Sequence, residues 1–436
     1  MESFNRSQKK LGIFYWALYD FANTIYTMNV VTLYFPLVIT VNLAAPDIVV
    51  SVVNSISMIL VITTLPIFGV FSDRLKRRVP FMMAFTILSV LATATIGLLL
   101  SSHLPRIPML ISVCLFFIMA NYGYQGGLVF YNTLLSKISK EHNLGKISGL
   151  GVALGYIGSA IGIFLVLPFN EGKIGSWAIP FISAGGRGAT FIPTAILFAI
   201  FAAPAIIYFW EKHPMPKDIT DKEDTTGSVS LILETVRDSK KYPGIRRFMC
   251  ANFLFNDGIQ TAIIFMAVFA QKVMKMSDTA KTGFFIFSII GAFFGSMLFG
   301  YISDRSGYKK TLLFILTGWV ISLFILAIFP SVTVFWILGI PIGAFLGGTW
   351  TTARPLVVEL SPKGMEGRYF GLYAFSGKVA AIFGPILWGT IIYLISPFSE
   401  NLAYRTAVFA MALLIALGAF FLTGVKKPEN HFDQHP

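Results

Sequence analysis

Twelve apolar runs, each about as long as a bilayer is thick, constrain this chain more than anything else in it. They fall at residues 12–41, 48–71, 79–101, 108–135, 146–169, 189–210, 245–271, 281–302, 311–329, 333–358, 367–396 and 402–424. About 20 apolar residues suffice for a helix to cross the hydrocarbon. Lipid offers no water to a backbone, so each run must close its own hydrogen bonds as a helix. Only 13% of the residues are charged, whereas a soluble protein carries about 25%. The expected class is therefore an all-α membrane protein with twelve transmembrane helices. The first run is too long for a signal-peptide core, and no small-residue cleavage site follows it, so it reads as a retained helix.

The net charge of +13 does not point to nucleic acid, because the Lys and Arg sit at the ends of apolar runs, where they orient a membrane protein. With the N-terminus inside, cytoplasmic segments hold 25 of them and external segments hold 7, namely Arg106, Lys173, Arg187, Lys272, Lys275, Lys281 and Arg405. Both termini are expected in the cytoplasm. The loop holding Lys272, Lys275 and Lys281 runs against the trend. Residues 211–244 are the one long polar stretch between runs and read as a cytoplasmic linker between an N-terminal half, 1–210, and a C-terminal half, 245–436. Within the linker, Ser228 to Tyr242 suits either an amphipathic helix on the membrane face, with Leu231, Leu233 and Val236 partly buried, or a solvated connection.

Repeats give the organisation. Gly69-Val70-Phe71-Ser72-Asp73-Arg74, followed by Lys76, Arg77 and Arg78, recurs 231 residues later as Gly300-Tyr301-Ile302-Ser303-Asp304-Arg305, followed by Lys309 and Lys310. Asp20-Phe21-Ala22-Asn23-Thr24 matches Asp257-Gly258-Ile259-Gln260-Thr261 as D-x-x-[NQ]-T. Gly126-Gly127 matches Gly347-Gly348, and Gly145 to Leu150 matches Gly367 to Leu372. Four matches in one order imply a parallel duplication, hence two pseudo-symmetric six-helix halves. That is the architecture of the major facilitator superfamily, whose signature between spans 2 and 3 the G-x-x-S-D-R turn resembles.

A narrower resemblance covers both halves. Trp16-Ala17-Leu18-Tyr19-Asp20-Phe21-Ala22-Asn23 is similar to the first span of the autophagy-linked vacuolar amino-acid effluxer family and its bacterial relatives. Phe255-Asn256-Asp257-Gly258 is similar to that family's seventh span. Gly347-Gly348, Arg354, Ser361-Pro362-Lys363-Gly364, Phe370-Gly371 and Ser376-Gly377-Lys378 resemble its spans 10 and 11. Two positions depart: Trp350 stands where the family usually has Gln, and Pro355 where it usually has Ser. Both lie in span 10, so substrate choice can differ. The short linker is closer to bacterial members, which implies a bacterial inner membrane. The resemblance also implies amino-acid transport and a cavity lined by spans 1, 4, 7 and 10.

Charges inside the hydrocarbon mark function, because each costs about 2.5–3.5 kcal/mol at the bilayer centre. The apolar runs contain Asp20, Asp257, Arg354 and Lys378 in this position. Asp20, Asn23, Thr24 and Thr27 form one helix face, Asn256, Asp257, Gln260 and Thr261 a second, and Asn121, Gln125 and Asn132 a third. The expected substrate or coupling residues are Asp20, Asn23, Tyr26, Asn121, Gln125, Asp257, Gln260, Arg354 and Lys378. For Asp20 a proton-coupling role stands beside a permanent structural pair with Lys378 or Arg354. For the aromatics Trp16, Tyr19, Tyr26, Tyr122, Tyr124 and Trp350, substrate contact stands beside helix packing. The expected gating residues are Gly69, Asp73, Arg74, Arg77, Gly300, Asp304, Arg305, Glu359 and Arg368, with Glu359 and Arg368 as partners for Arg305.

The chain shows no phosphate-binding loop, no disulfide or zinc pattern in Cys114 and Cys250, and no histidine within a span. An enzyme, a cofactor and a metal are not expected. The expected activity is secondary active transport of a small polar solute by alternating access, with an amino acid favoured by the resemblance, proton as the coupling ion, and a monomer in the bilayer. A sodium-coupled sugar carrier or an organic-anion carrier is the alternative. A non-transporting sensor or scaffold is the alternative of another class.

Overall fold

The computed structural model of the chain describes residues 6–74, 78–138, 144–174, 177–178, 184–210, 235–362 and 366–426. Twelve helices in it are long and apolar enough to cross a membrane. Span 1 is Leu11–Asn42, span 2 Asp47–Thr64, span 3 Val79–Leu100, span 4 Arg106–Asn132, span 5 Ala153–Glu171 and span 6 Arg187–Phe209. Span 7 is Pro243–Lys272, span 8 Asp278–Ser306, span 9 Tyr308–Ile328, span 10 Val332–Leu360, span 11 Phe375–Ile395 and span 12 Glu400–Thr423. The helices of spans 2, 4, 5 and 11 extend beyond these limits, as Asp47–Arg74, Arg106–Ile138, Leu144–Glu171 and Glu366–Ile395. Strand structure among the described residues is the two-residue pairing of Lys173–Ile174 with Trp177–Ala178.

The number and order of spans agree with the hydropathy reading; the ends are set by caps that hydropathy does not register. The hydroxyls of Ser277, Ser331 and Ser399 accept from the backbone N–H groups of Ala280, Val334 and Leu402 at the starts of spans 8, 10 and 12. Each satisfies one of the donors that a helix start leaves open. Span 8 therefore begins at Asp278 rather than near residue 281. In the second basic turn, Gly307 closes the helix with φ +88°, a conformation costly for any residue with a Cβ. Residues 228–234 of the expected linker helix lie outside the described residues. Residues 235–241 are helical, and Val236 is exposed rather than partly buried.

The pairings of helices repeat six spans apart. Spans 1·5, 1·6, 3·4, 3·6 and 2·4 pack together in the N-terminal half, and spans 7·11, 7·12, 9·10, 9·12 and 8·10 in the C-terminal half. Spans 2·11 and 5·8 join the halves. Spans 8 and 10 interlock through Gly291 and Gly295 on one helix and Gly343 and Gly347 on the other. A Cβ at any of the four would meet the backbone of the opposite helix. This is small-residue packing that lets helices approach closely in lipid. Because the spans alternate in direction, the start of span 1 and the end of span 12 share one face of the molecule, here the near face; the opposite one is the far face.

A candidate site between the two halves

The far face is shut by polar bonds between the halves. The Arg187 guanidinium, at the start of span 6, meets the Asp278 carboxylate at 2.8 and 2.9 Å and the Gln271 amide oxygen at 3.1 Å. Asn170 also donates to Asp278, at 2.9 Å, and Thr279 donates to Glu171. Lys281, fully buried, pairs with Asp278 at 2.7 Å. A second group lies beside it. Asp47, the first residue of span 2, is buried and accepts from Tyr404 Oη at 2.8 Å and Trp388 Nε1 at 3.3 Å. Close packing completes the seal, since a Cβ at Gly389 would stand 2.7 Å from Ile48 Cα and 2.6 Å from Ser51 Oγ.

Several far-face cations are held by these and similar bonds. Arg187 and Lys281 are held by Asp278, and Lys272 pairs with Glu400 at 3.2 Å. Arg106 donates to the Leu43 and Ala44 carbonyls, and Arg405 to those of Ala327 and Ile328.

Toward the near face, charges of one half act on groups of the other. Arg354 on span 10 is solvent-exposed. Its charge nonetheless reaches Asp20 on span 1, Tyr131 on span 4, Tyr156 on span 5 and Tyr373 on the span 11 helix. Arg354 thus acts across the halves on spans 1, 4 and 5 as well as on the span 11 helix of its own half. Asp20 lies beside a bare stretch of span 5. A Cβ at Gly151 or Gly155 would lie 3.4 or 3.7 Å from Asp20 Oδ2, and Thr24 Oγ1 donates to the Gly155 carbonyl at 2.7 Å. Lys378 of span 11 donates to Gln125 Oε1 of span 4 at 2.8 Å, again across the halves. Among the described residues Lys378 meets no carboxylate. Beside Tyr156 an apolar cavity of about 80 Å³ runs between Met28, Met266, Phe285, Trp319 and Leu346.

Other expected site residues are buried or half-buried. Asp257 is buried, and its Oδ1 accepts the Gly384 backbone N–H at 2.7 Å. Asn23 is also buried, with no hydrogen-bond partner for its amide among the described residues. Tyr26 is fully buried against Tyr124 and Phe198, with ring centroids 5.0 and 5.5 Å away. Trp16 stacks on Tyr131 at 4.7 Å and Tyr19 bonds Thr86 at 2.7 Å; both are buried. Asn121 donates to Ser57 Oγ at 2.7 Å, and Gln260 is half-buried.

Of the expected gate, Arg77 lies outside the described residues, as do the packing of Gly69 and the side chains of Asp73, Arg74 and Arg368. Gly300 faces Thr351, Asp304 accepts from Tyr308 Oη at 3.1 Å, and the Arg305 guanidinium sits 4.2 Å from the centre of the Tyr301 ring. No ion pair joins Arg305 to Glu359 among the described residues. Sequence reasoning missed Asp47, Arg187 and Asp278 as bridging groups; the surplus of Lys in the loop before span 8 was the visible sign.

Comparison with known proteins agrees with this architecture. The family described as "Vacuole effluxer Atg22 like" matches residues 45–431. The chain is 27% identical over 425 residues to the "Uncharacterized MFS-type transporter YxiO" of Bacillus subtilis (strain 168), covering 94% of each chain. It is 24% identical over 336 residues to "Autophagy-related protein 22" of Yarrowia lipolytica (strain CLIB 122 / E 150), covering 70% of this chain and 54% of that one. Among solved structures it resembles a point mutant of the nucleoside transporter NupG, with a TM-score of 0.74, 14% identity, and coverage of 95% of this chain and 100% of that one. A bacterial homolog to the human lysosomal transporter Spinster, inward-facing and unoccupied, gives a TM-score of 0.68, 16% identity, and coverage of 96% and 97%. At such identities the structural likeness speaks for the fold alone. With the family match spanning most of its length and the fold agreeing, this integral membrane chain belongs to the Atg22-like effluxer family of major facilitator transporters.

Proposed function

We propose that the protein is a proton-coupled secondary transporter that moves a small zwitterionic solute, an amino acid, between its two halves by alternating access. The observation that carries this is that Lys378 bonds Gln125 across the halves at 2.8 Å while the charge of Arg354, also in the C-terminal half, acts on Asp20 in the N-terminal half. A carboxylate and a guanidinium facing each other across two moving bodies can hold the ammonium and the carboxylate of one solute. The apolar cavity beside Tyr156 suits an apolar side chain. Asp20 can also carry the proton, since a carboxylate between a desolvating wall and a cation changes its preference for a proton when access alternates. The membrane potential adds about 2.3 kcal/mol per charge per 100 mV, enough to concentrate a solute if one proton moves with it. The excess of basic residues near the termini supports an orientation with both termini in the cytoplasm, and the bacterial resemblance supports an inner membrane.

Proteoliposome uptake tests this. Asp20→Asn abolishes accumulation driven by a pH gradient and leaves counterflow exchange partly intact. Unchanged accumulation removes Asp20 from coupling. One observation favours a second reading: Lys378 meets Gln125 and no described carboxylate, which suits a purely anionic solute. Preference for an organic acid over its amino acid counterpart in the same assay selects that reading.

A further inference from the structure

Span 11 contains Pro385, which has no backbone N–H. The carbonyl of Ala381, four residues earlier, therefore loses its helical donor. That carbonyl does not go unused. Asn54 of span 2, in the other half, donates to it from Nδ2 at 3.2 Å, and Ser55 donates to the next carbonyl, Ile382, at 3.0 Å. Both side chains are buried. The amide of Asn54 is held in the donating orientation from behind, because Asn121 Nδ2 approaches its Oδ1 at 3.4 Å while bonding Ser57 Oγ. Within span 11's own half, Asp257 accepts the Gly384 N–H of the same turn at 2.7 Å. The Ala381–Pro385 turn thus exposes backbone groups that side chains of both halves take up.

We propose that this turn is a latch: the proline of span 11 frees a carbonyl on which Asn54 and Ser55 dock, and the docking holds the two halves together when the far face is shut. Opening that face moves span 2 off span 11, so these bonds exist in one of the two states and bias the exchange between them. Asp257 acts from behind as a positioning residue that fixes the turn. The latch concerns closure alone and is independent of which solute is carried.

The test uses purified full-length protein in lipid nanodiscs, with Cys114 and Cys250 replaced by serine and Ser51→Cys as reporter. Ser51 is fully buried under Gly389, so N-ethylmaleimide reacts there only when the far face opens. Asn54→Leu keeps the volume and removes the donor; it raises the labelling rate about three- to five-fold, the size expected for one interhelical hydrogen bond in a bilayer. Pro385→Ala restores a backbone donor that competes for the Ala381 carbonyl and raises the rate similarly. The double variant reacts well below the product of the two single effects, since both remove one interaction. Labelling at the parent rate in Asn54→Leu, or a double variant that multiplies the single effects, overturns the latch. If Pro385→Ala does not fold, Asn54→Leu with Ser55→Ala decides, an unchanged rate refuting the proposal.

Discussion

The two faces of this transporter handle their charges in opposite ways. On the far face, cations and anions from different halves are buried together: Arg187, Lys281 and Asp278 form one group, and Asp47 sits beneath Tyr404 and Trp388. At the near-face ends of spans 9, 7 and 8, Lys309, Arg247 and Arg305 serve their own half. Lys309 donates to the Thr423 and Val425 carbonyls at the end of span 12, Arg247 to that of Phe421, and Arg305 lies over Tyr301. Repeated basic motifs mark the near face in the sequence, yet the closed barrier in this conformation is the far face, built from residues that share no motif. A charge that joins two bodies must lose its water, and it does so only with a partner in place; a charge that caps a helix end need not.

The sharpest way to break this contrast is Asp278→Ala. It removes the carboxylate from a buried lysine and a half-buried arginine, and breaking a buried pair costs about 3–5 kcal/mol. Thermal unfolding is expected to fall accordingly, with the far face reactive at Ser51→Cys; a melting curve like that of the parent contradicts the barrier. Tyr404→Phe comes next. It removes the shorter bond to Asp47, and a bond to a charged group contributes about 1.5–3 kcal/mol, read by the same two assays. Gly389→Leu asks whether packing matters beside the polar bonds. Overpacking costs about 1–3 kcal/mol, felt only while span 2 lies on span 11, so spin labels across that pair should move apart. The smallest effect is expected on the near face. Arg305→Gln removes an exposed cation–π contact, about 0.5–1 kcal/mol. A stability loss there as large as that of Asp278→Ala would erase the distinction between the faces.

The repeated acidic motif shows how far a sequence reading carries. Asp20 and Asp257 occupy matched positions, and both were conspicuous because a charge in hydrocarbon is expensive. The structure separates them. Asp20 lies against the bare glycines of span 5 and feels the charge of Arg354, while Asp257 is sealed against the Gly384 backbone. Arg354 and Lys378 were conspicuous for the same reason and do face the other half. Asn54 and Ser55 were not: small polar residues are common in membrane helices, and their acceptors are backbone carbonyls, which every residue has. Pro385 was the one sign that a carbonyl there stood free.

The count of spans, their order, the duplication and the family are properties of the amino-acid sequence by itself, because each follows from local hydropathy or from short runs of residues along one helix. Which face is closed by bonds between the halves, and which partners hold the far-face cations, were decided by the tertiary structure alone. Arg187 and Asp278 are 91 positions apart, and Asn54 and Ala381 are 327 apart. The free energy of such pairs comes from water excluded when two helices of different halves meet, and that exclusion exists only once the halves have packed.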